Sequence, residues 1–176
     1  MTPAGSVARL FLEFSRTQLL DEYWPRLRGC VESLTDEQVW WRPNEVSNSI
    51  GNLLLHLNGN VRQWILSGVG GAPDARVRDE EFAARGGMEP EALARRLREA
   101  VDAALVIFRS LPHERLAERT TIQGYDVTVL KAILHVVEHF SGHTAQIIFI
   151  TKMVTGEDLG FYSYLSKSQT HAKTNP

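Results

Sequence analysis

With 176 residues, the chain is long enough for one domain with a sizeable core, and its formal charge of −2 excludes a broad electrostatic footprint for nucleic acid. A single cysteine, Cys30, excludes an internal disulfide and fits a reducing cytoplasm. No apolar run approaches the ~18 residues of a membrane span, and the stretch from Met1 to Arg9 lacks the basic start and apolar run of a signal peptide.

In chain order, Val7, Leu10, Phe11, Phe14, Leu20, Trp24, Leu27, Val31 and Leu34 recur mostly at threes and fours, which predicts an amphipathic helix. Pro25 lies inside that run and predicts a kink or break, because proline lacks the amide proton and crowds the preceding turn. Thr35 followed by Gln38 has the pattern of a capping box and predicts a short helical turn holding Val39, Trp40 and Trp41. The two tryptophans either line a pocket or seal the end of the core. After cap candidates at Ser47 to Ser49, Ile50, Leu53, Leu54, Leu57, Val61, Trp64 and Ile65 predict a second helix. Asn52, His56, Asn60 and Gln63 form a polar strip beside that stripe.

Gly68 to Pro73 should end the second helix. The charged connection after it runs to about Met88, carrying Arg76, Arg78, Asp79, Glu80 and Glu81, and is long for a compact domain. It reads as a lid, a binding loop or a surface connection, with a short helical turn near Glu80 to Ala84. Pro90 suits the first turn of a third helix, which Leu111-Pro112 closes. Residues 116–127, with β-branched side chains on both sides of Gly124, predict a small hairpin. Thr128 then caps a fourth helix that ends at Gly156. The fold class expected is all-α: a four-helix bundle with a long second crossover, one domain over 1–165, and a polar disordered tail over 166–176.

The fourth helix carries His135, His139 and His143 at intervals of four. Each step of four turns a helix by ~400°, so the three imidazoles share one stripe. Two histidines so spaced on a helix can share a metal ion, and neutral imidazole is the commonest metal ligand among side chains. His56 on the second helix is the candidate for a third ligand. Spacing alone leaves both pairs open, His135 with His139 or His139 with His143.

Three stretches together resemble the DinB superfamily: Glu37-Gln-Val-Trp-Trp-Arg-Pro43 with Asn48-Ser-Ile50, Asn52-Leu-Leu-Leu-His56, and His135 through Gln146. The resemblance covers nearly the whole chain in helix order and loop lengths. It implies a DinB-like bundle with a metal triad of His56, His139 and His143, and nickel or zinc as the divalent ion. His135 would then be a pocket or supporting residue beside the site, with Asn60, Trp64 and Gln146 in similar roles. Family activities imply thiol-dependent S-transferase chemistry with a low-molecular-weight thiol and a small-molecule substrate, in a homodimer. Where many relatives carry arginine and glycine after the last histidine, this chain has Thr144 and Ala145. A non-catalytic metal- or ligand-binding bundle is the alternative reading. Neither reading involves nucleic acid or a membrane.

Overall fold

The computed structural model describes residues 3–166; residues 167–176 of the expected polar tail lie outside them. The chain is mostly helical, with one small two-stranded sheet. A first long helical run is made of α1 (Pro3–Thr17), a π-helical segment (Gln18–Tyr23) and α2 (Trp24–Glu32). Short α3 (Asp36–Trp40) leads to α4 (Ile50–Val61), which continues into a second π-helical segment (Arg62–Ser67). The crossover contains α5 (Arg78–Ala83), and α6 (Pro90–Ser110) comes next. Strands β1 (Arg119–Ile122) and β2 (Tyr125–Thr128) precede the 27-residue α7 (Val129–Thr155), and a short α8 (Ser163–Ser166) ends the described chain. α4 packs against α5, α6 and α7, and α2 packs against α6 and α7. No helix among the described residues is long and apolar enough to cross a membrane.

Local sequence accounts for most boundaries. Thr35 and Gln38 form the expected capping box. Ser49 and Asn52 form a second one: the Ser49 amide donates to Asn52 Oδ1 at 3.0 Å, and the Asn52 amide donates to Ser49 Oγ at 3.1 Å. Thr128 Oγ1 accepts from the Lys131 amide and opens α7. The hairpin is antiparallel, with Ile122 opposite Tyr125. Its two turn residues, Gln123 and Gly124, both have positive φ (54° and 81°), the turn that matches the twist of a tight hairpin.

The break or kink expected at Pro25 takes another form. The helical run continues through it because the preceding residues widen into the π-helical turn, which spares the proline ring a clash with the carbonyl of the turn below. The wider turn also changes which face of the run meets the core. Leu12, Leu19, Leu27 and Val31 are buried, whereas Val7, Leu10 and Phe14 are 67%, 62% and 56% exposed. The stripe expected at the start of the first helix therefore lies largely on the outside. Phe161 of the aromatic tail segment packs back against Gly29 of α2, and Arg26 lies over the ring of Tyr162 at 5.5 Å.

The crossover folds down onto α4. Asn52 Nδ2 donates to the backbone oxygens of Glu81 and Ala84 at 2.8 and 2.9 Å, so the same side chain that caps α4 also fixes α5. Trp40 turns toward the crossover, its ring against Gly51 and its Nε1 donating to Met88 O at 2.9 Å.

Candidate metal centre

α4 and α7 bring three of the histidines together. The ligand atoms of His56, His139 and His143 all lie within 4.8 Å of one another. His56 Nε2 and His139 Nε2 are 2.8 Å apart. Two nitrogens bound to one zinc at ~2.0–2.1 Å in tetrahedral geometry sit about 3.3 Å apart, so a small relaxation of this pair admits an ion. The donor set therefore fits a divalent metal of the kind imidazole prefers.

The hydrogen bonds around the rings leave the right nitrogens free. His56 Nδ1 is 2.9 Å from Glu81 Oε2. Burial works against the Glu81 charge, yet hydrogen bonds from Arg76 and His56 outweigh it and hold the carboxyl below the usual range. An ionised carboxylate only accepts, so His56 carries its proton on Nδ1 and presents a bare Nε2 when neutral. The Arg76 guanidinium, 3.1 Å from the same Nδ1, is also a donor, and Glu81 Oε2 takes both. His143 Nδ1 donates to Gln146 Oε1 at 2.7 Å, which leaves its Nε2 free in the same way. A partner on the far ring nitrogen is the usual means of fixing a ligating histidine.

His135 is differently engaged. Asn60 Nδ2 donates to His135 Nε2 at 3.2 Å, and the ring lies on Trp64 with centroids 3.9 Å apart. Its ring centroid is 5.3 Å from that of His139, but it stands apart from the three-histidine cluster. Trp64 comes from the second π-helical segment, as does Gln63, whose Oε1 accepts from Arg76 and from Gln123. π-turns often occur at functional sites, and here the wide turn carries Trp64, which packs on His135, and Gln63, which accepts from Arg76. Glu138, a neighbour of His139 in sequence, is exposed. Trp41 lines a hollow of about 380 Å³ that Gln146 also borders and that none of the histidines lines.

The residues that sequence reading missed are Arg76 and Glu81. Both sat in a charged connection with nothing to distinguish them from solvated surface. Their side chains are only 4% and 10% exposed and form a two-contact ion pair, Nε to Oε1 at 2.7 Å and the second guanidinium nitrogen to Oε2 at 2.8 Å. The pair rests against Gly59 of α4. A β-carbon there would overlap Glu81 Oε1 and come within 2.7 Å of Arg76 Nε. Gly59→Ala is therefore expected to push the carboxylate off His56 while leaving the helix intact, since alanine favours the helix by ~1 kcal/mol. The expected result is a lowered thermal stability, because the buried ion pair must shift, together with metal affinity ~10-fold weaker or more, read by chelator competition.

His135, His139 and His143 are held toward the uncharged form. Burial first, then the charges of His143, His56 and His135, lower the His139 pKa from 6.5 to about 3. Burial also lowers His135 and His143. Above pH 6.5 these rings are neutral in both folded and unfolded chains, so their contribution is at its full value. As pH falls below 6.5, the unfolded chain takes up protons that the folded chain refuses, and stability declines until His139 itself protonates near pH 3. Metal-free protein is expected to lose stability of the order of a few kcal/mol across that window. Thermal melts at pH 7.5 and pH 5, about the two ends of the useful range, check this; an unchanged or raised Tm at the lower pH would contradict it.

No curated protein matches the chain. Among solved structures, the "crystal structure of the conserved protein of locus from Enterococcus faecalis" is similar, with a TM-score of 0.71 at 15% identity, covering 82% of this chain and 97% of that one. At that identity the likeness speaks for the fold alone. A family profile, by contrast, matches residues 6–168 without interruption, taking in every helix that supplies the cluster: the chain belongs to the family described as "Protein of unknown function (DUF1572)".

Proposed function

We propose that the chain is a DinB-like four-helix bundle that holds one divalent ion, zinc or nickel, on His56, His139 and His143, and uses it for thiol-dependent S-transfer to a small electrophile. One observation carries this reading. Three buried or half-buried imidazoles converge with the remote nitrogens of His56 and His143 engaged by Glu81 and Gln146, and their ligand atoms lie within 4.8 Å of one another. Three histidines with an open position is the ligand set of catalytic rather than structural sites. When bound, the metal supplies a lowered pKa for a coordinated thiol or water.

The chain's own residues do the rest. Glu81 and Gln146 orient their histidines, and Phe82, with its ring 4.7 Å from His56, shields that ring from solvent. Gln146 borders the 380 Å³ hollow lined also by Trp41, Leu53, Phe149 and Met153, which suits the apolar part of an electrophile. The exposed stripe of Val7, Leu10 and Phe14 supports a homodimer. A cytoplasmic location fits the lone buried Cys30.

A second reading, metal binding without catalysis, draws on the lack of a free base. Glu81 is the carboxylate that touches a cluster histidine, and it is committed to Arg76 and His56. The two readings separate on turnover. Zinc- or nickel-loaded protein is incubated with low-molecular-weight thiols and a panel of small electrophiles, and thiol-dependent product is followed. Product lost in His139→Ala supports the transferase. Full metal loading with no thiol-dependent product across the panel leaves the non-catalytic reading.

A further inference from the structure

On the far side of the Arg76–Glu81 pair from the histidines lies a cavity of about 540 Å³ between α4, the crossover and the start of α6. None of the histidines lines it. Its volume falls in the range of small-molecule sites. Trp40, Leu55 and Met88 give it apolar wall. Arg62 from the second π-helical segment and Arg96 from α6 both border it, and neither has a hydrogen-bond or ion-pair partner among the described residues. Asn58 on α4 lines the same cavity, but its unpartnered Oδ1 is buried out of a ligand's reach.

The acidic groups refine the picture. Asp74 is already used, accepting from the Arg76 amide at 3.1 Å and from Gln63 Nε2 at 2.7 Å. Glu81 is bound to Arg76. Glu80 alone lines the cavity with no partner. The free groups are thus two guanidinium cations and one carboxylate. Two guanidiniums suit a carboxylate, which they hold through paired N–H donors. Glu80 suits an ammonium or hydroxyl on the same molecule. We propose that this cavity is a binding site for a small carboxylate that also bears an amino or hydroxyl group, with Arg62 and Arg96 holding the carboxylate and Glu80 the amino or hydroxyl group. The site is separate from the three-histidine cluster and stands whether or not that cluster takes a metal.

The test is calorimetric titration of the metal-free full chain with a panel of α-amino and α-hydroxy carboxylates, with inorganic phosphate and an unsubstituted fatty carboxylate as comparisons. Saturable binding of an amino or hydroxy acid is expected, weakened about tenfold in Arg62→Ala and again in Arg96→Ala, and retained in His139→Ala. Both arginines are exposed, so the variants are expected to fold, and a matching thermal melt confirms it. Glu80→Gln, which removes the free carboxylate, should weaken the amino or hydroxy acid more than the plain carboxylate. No saturable binding by any member at millimolar concentration overturns the proposal. Binding that survives both arginine changes but is lost in His139→Ala also overturns it, because the ligand then sits at the histidines.

Discussion

A His139→Ala variant, purified without a polyhistidine tag and dialysed, is expected to retain essentially no divalent metal, where the unaltered protein holds about one ion per chain. His139 is the hinge of the cluster: its Nε2 lies 2.8 Å from His56 Nε2, and its ring centroid is 4.4 Å from that of His143. Removing it leaves only His56 on α4 and His143 on α7, with ring centroids 5.1 Å apart, and two ligands on separate helices hold an ion poorly. His143→Ala is expected to behave the same way. His135→Ala is the informative contrast. Asn60 occupies its Nε2, and Trp64 covers its face, so metal content should stay near one ion per chain. Elemental analysis decides between the pairs that sequence spacing left open. Loss of metal in His135→Ala with retention in His143→Ala would reverse the ligand assignment.

Arg76→Met is expected to destabilise the fold by about 3–5 kcal/mol, the cost of leaving a buried carboxylate without its cation. Glu81 has almost no solvent to fall back on, and Gly59 presses it from below. The same change should weaken metal binding ~10–100-fold, because the carboxylate that orients His56 loses its anchor. The paired change Arg76→Met with Glu81→Leu separates these effects. It removes both charges, so much of the stability should return, while the metal affinity stays low because His56 still lacks its partner. Denaturant melts and chelator competition on the two variants read the two quantities independently. Recovery of the metal affinity along with the stability would show that Glu81 does not act on the metal through His56.

The helices were legible because their signals are local. Two capping boxes, a threonine cap, a Gly-containing hairpin turn and stripes at threes and fours each depend on residues within a few positions of one another. The cluster was partly legible for the same reason: His139 and His143 are one turn apart, and only His56 had to be brought from elsewhere. Its support was not. Glu81 is 25 residues from His56 and Arg76 is 20, and nothing in a run of charges marks which will be buried. The outward turn of Val7, Leu10 and Phe14 was hidden too, since a π-turn shifts a helical stripe without leaving a periodic trace. Trp40 and Trp41 are adjacent in sequence, yet one seals the crossover and the other faces the hollow beside Gln146.

The wide turn at Arg62–Ser67 has a consequence for how this chain tolerates change in length. A π-turn amounts to one extra residue in an α-helix. Removing one residue inside it lets the backbone become regular, and the helix before it, Ile50–Val61, keeps the direction it faces. Removing one residue within Ile50–Val61 meets no such slack. Every side chain on one side of that gap would swing by ~100° about the axis, and His56 would lose its alignment with either Ser49 or Trp64. Shortening by one residue should therefore be survivable in the wide turn and ruinous a turn earlier. What the shortened helix would give up is local: the spare residue is what sets Trp64 against the ring of His135.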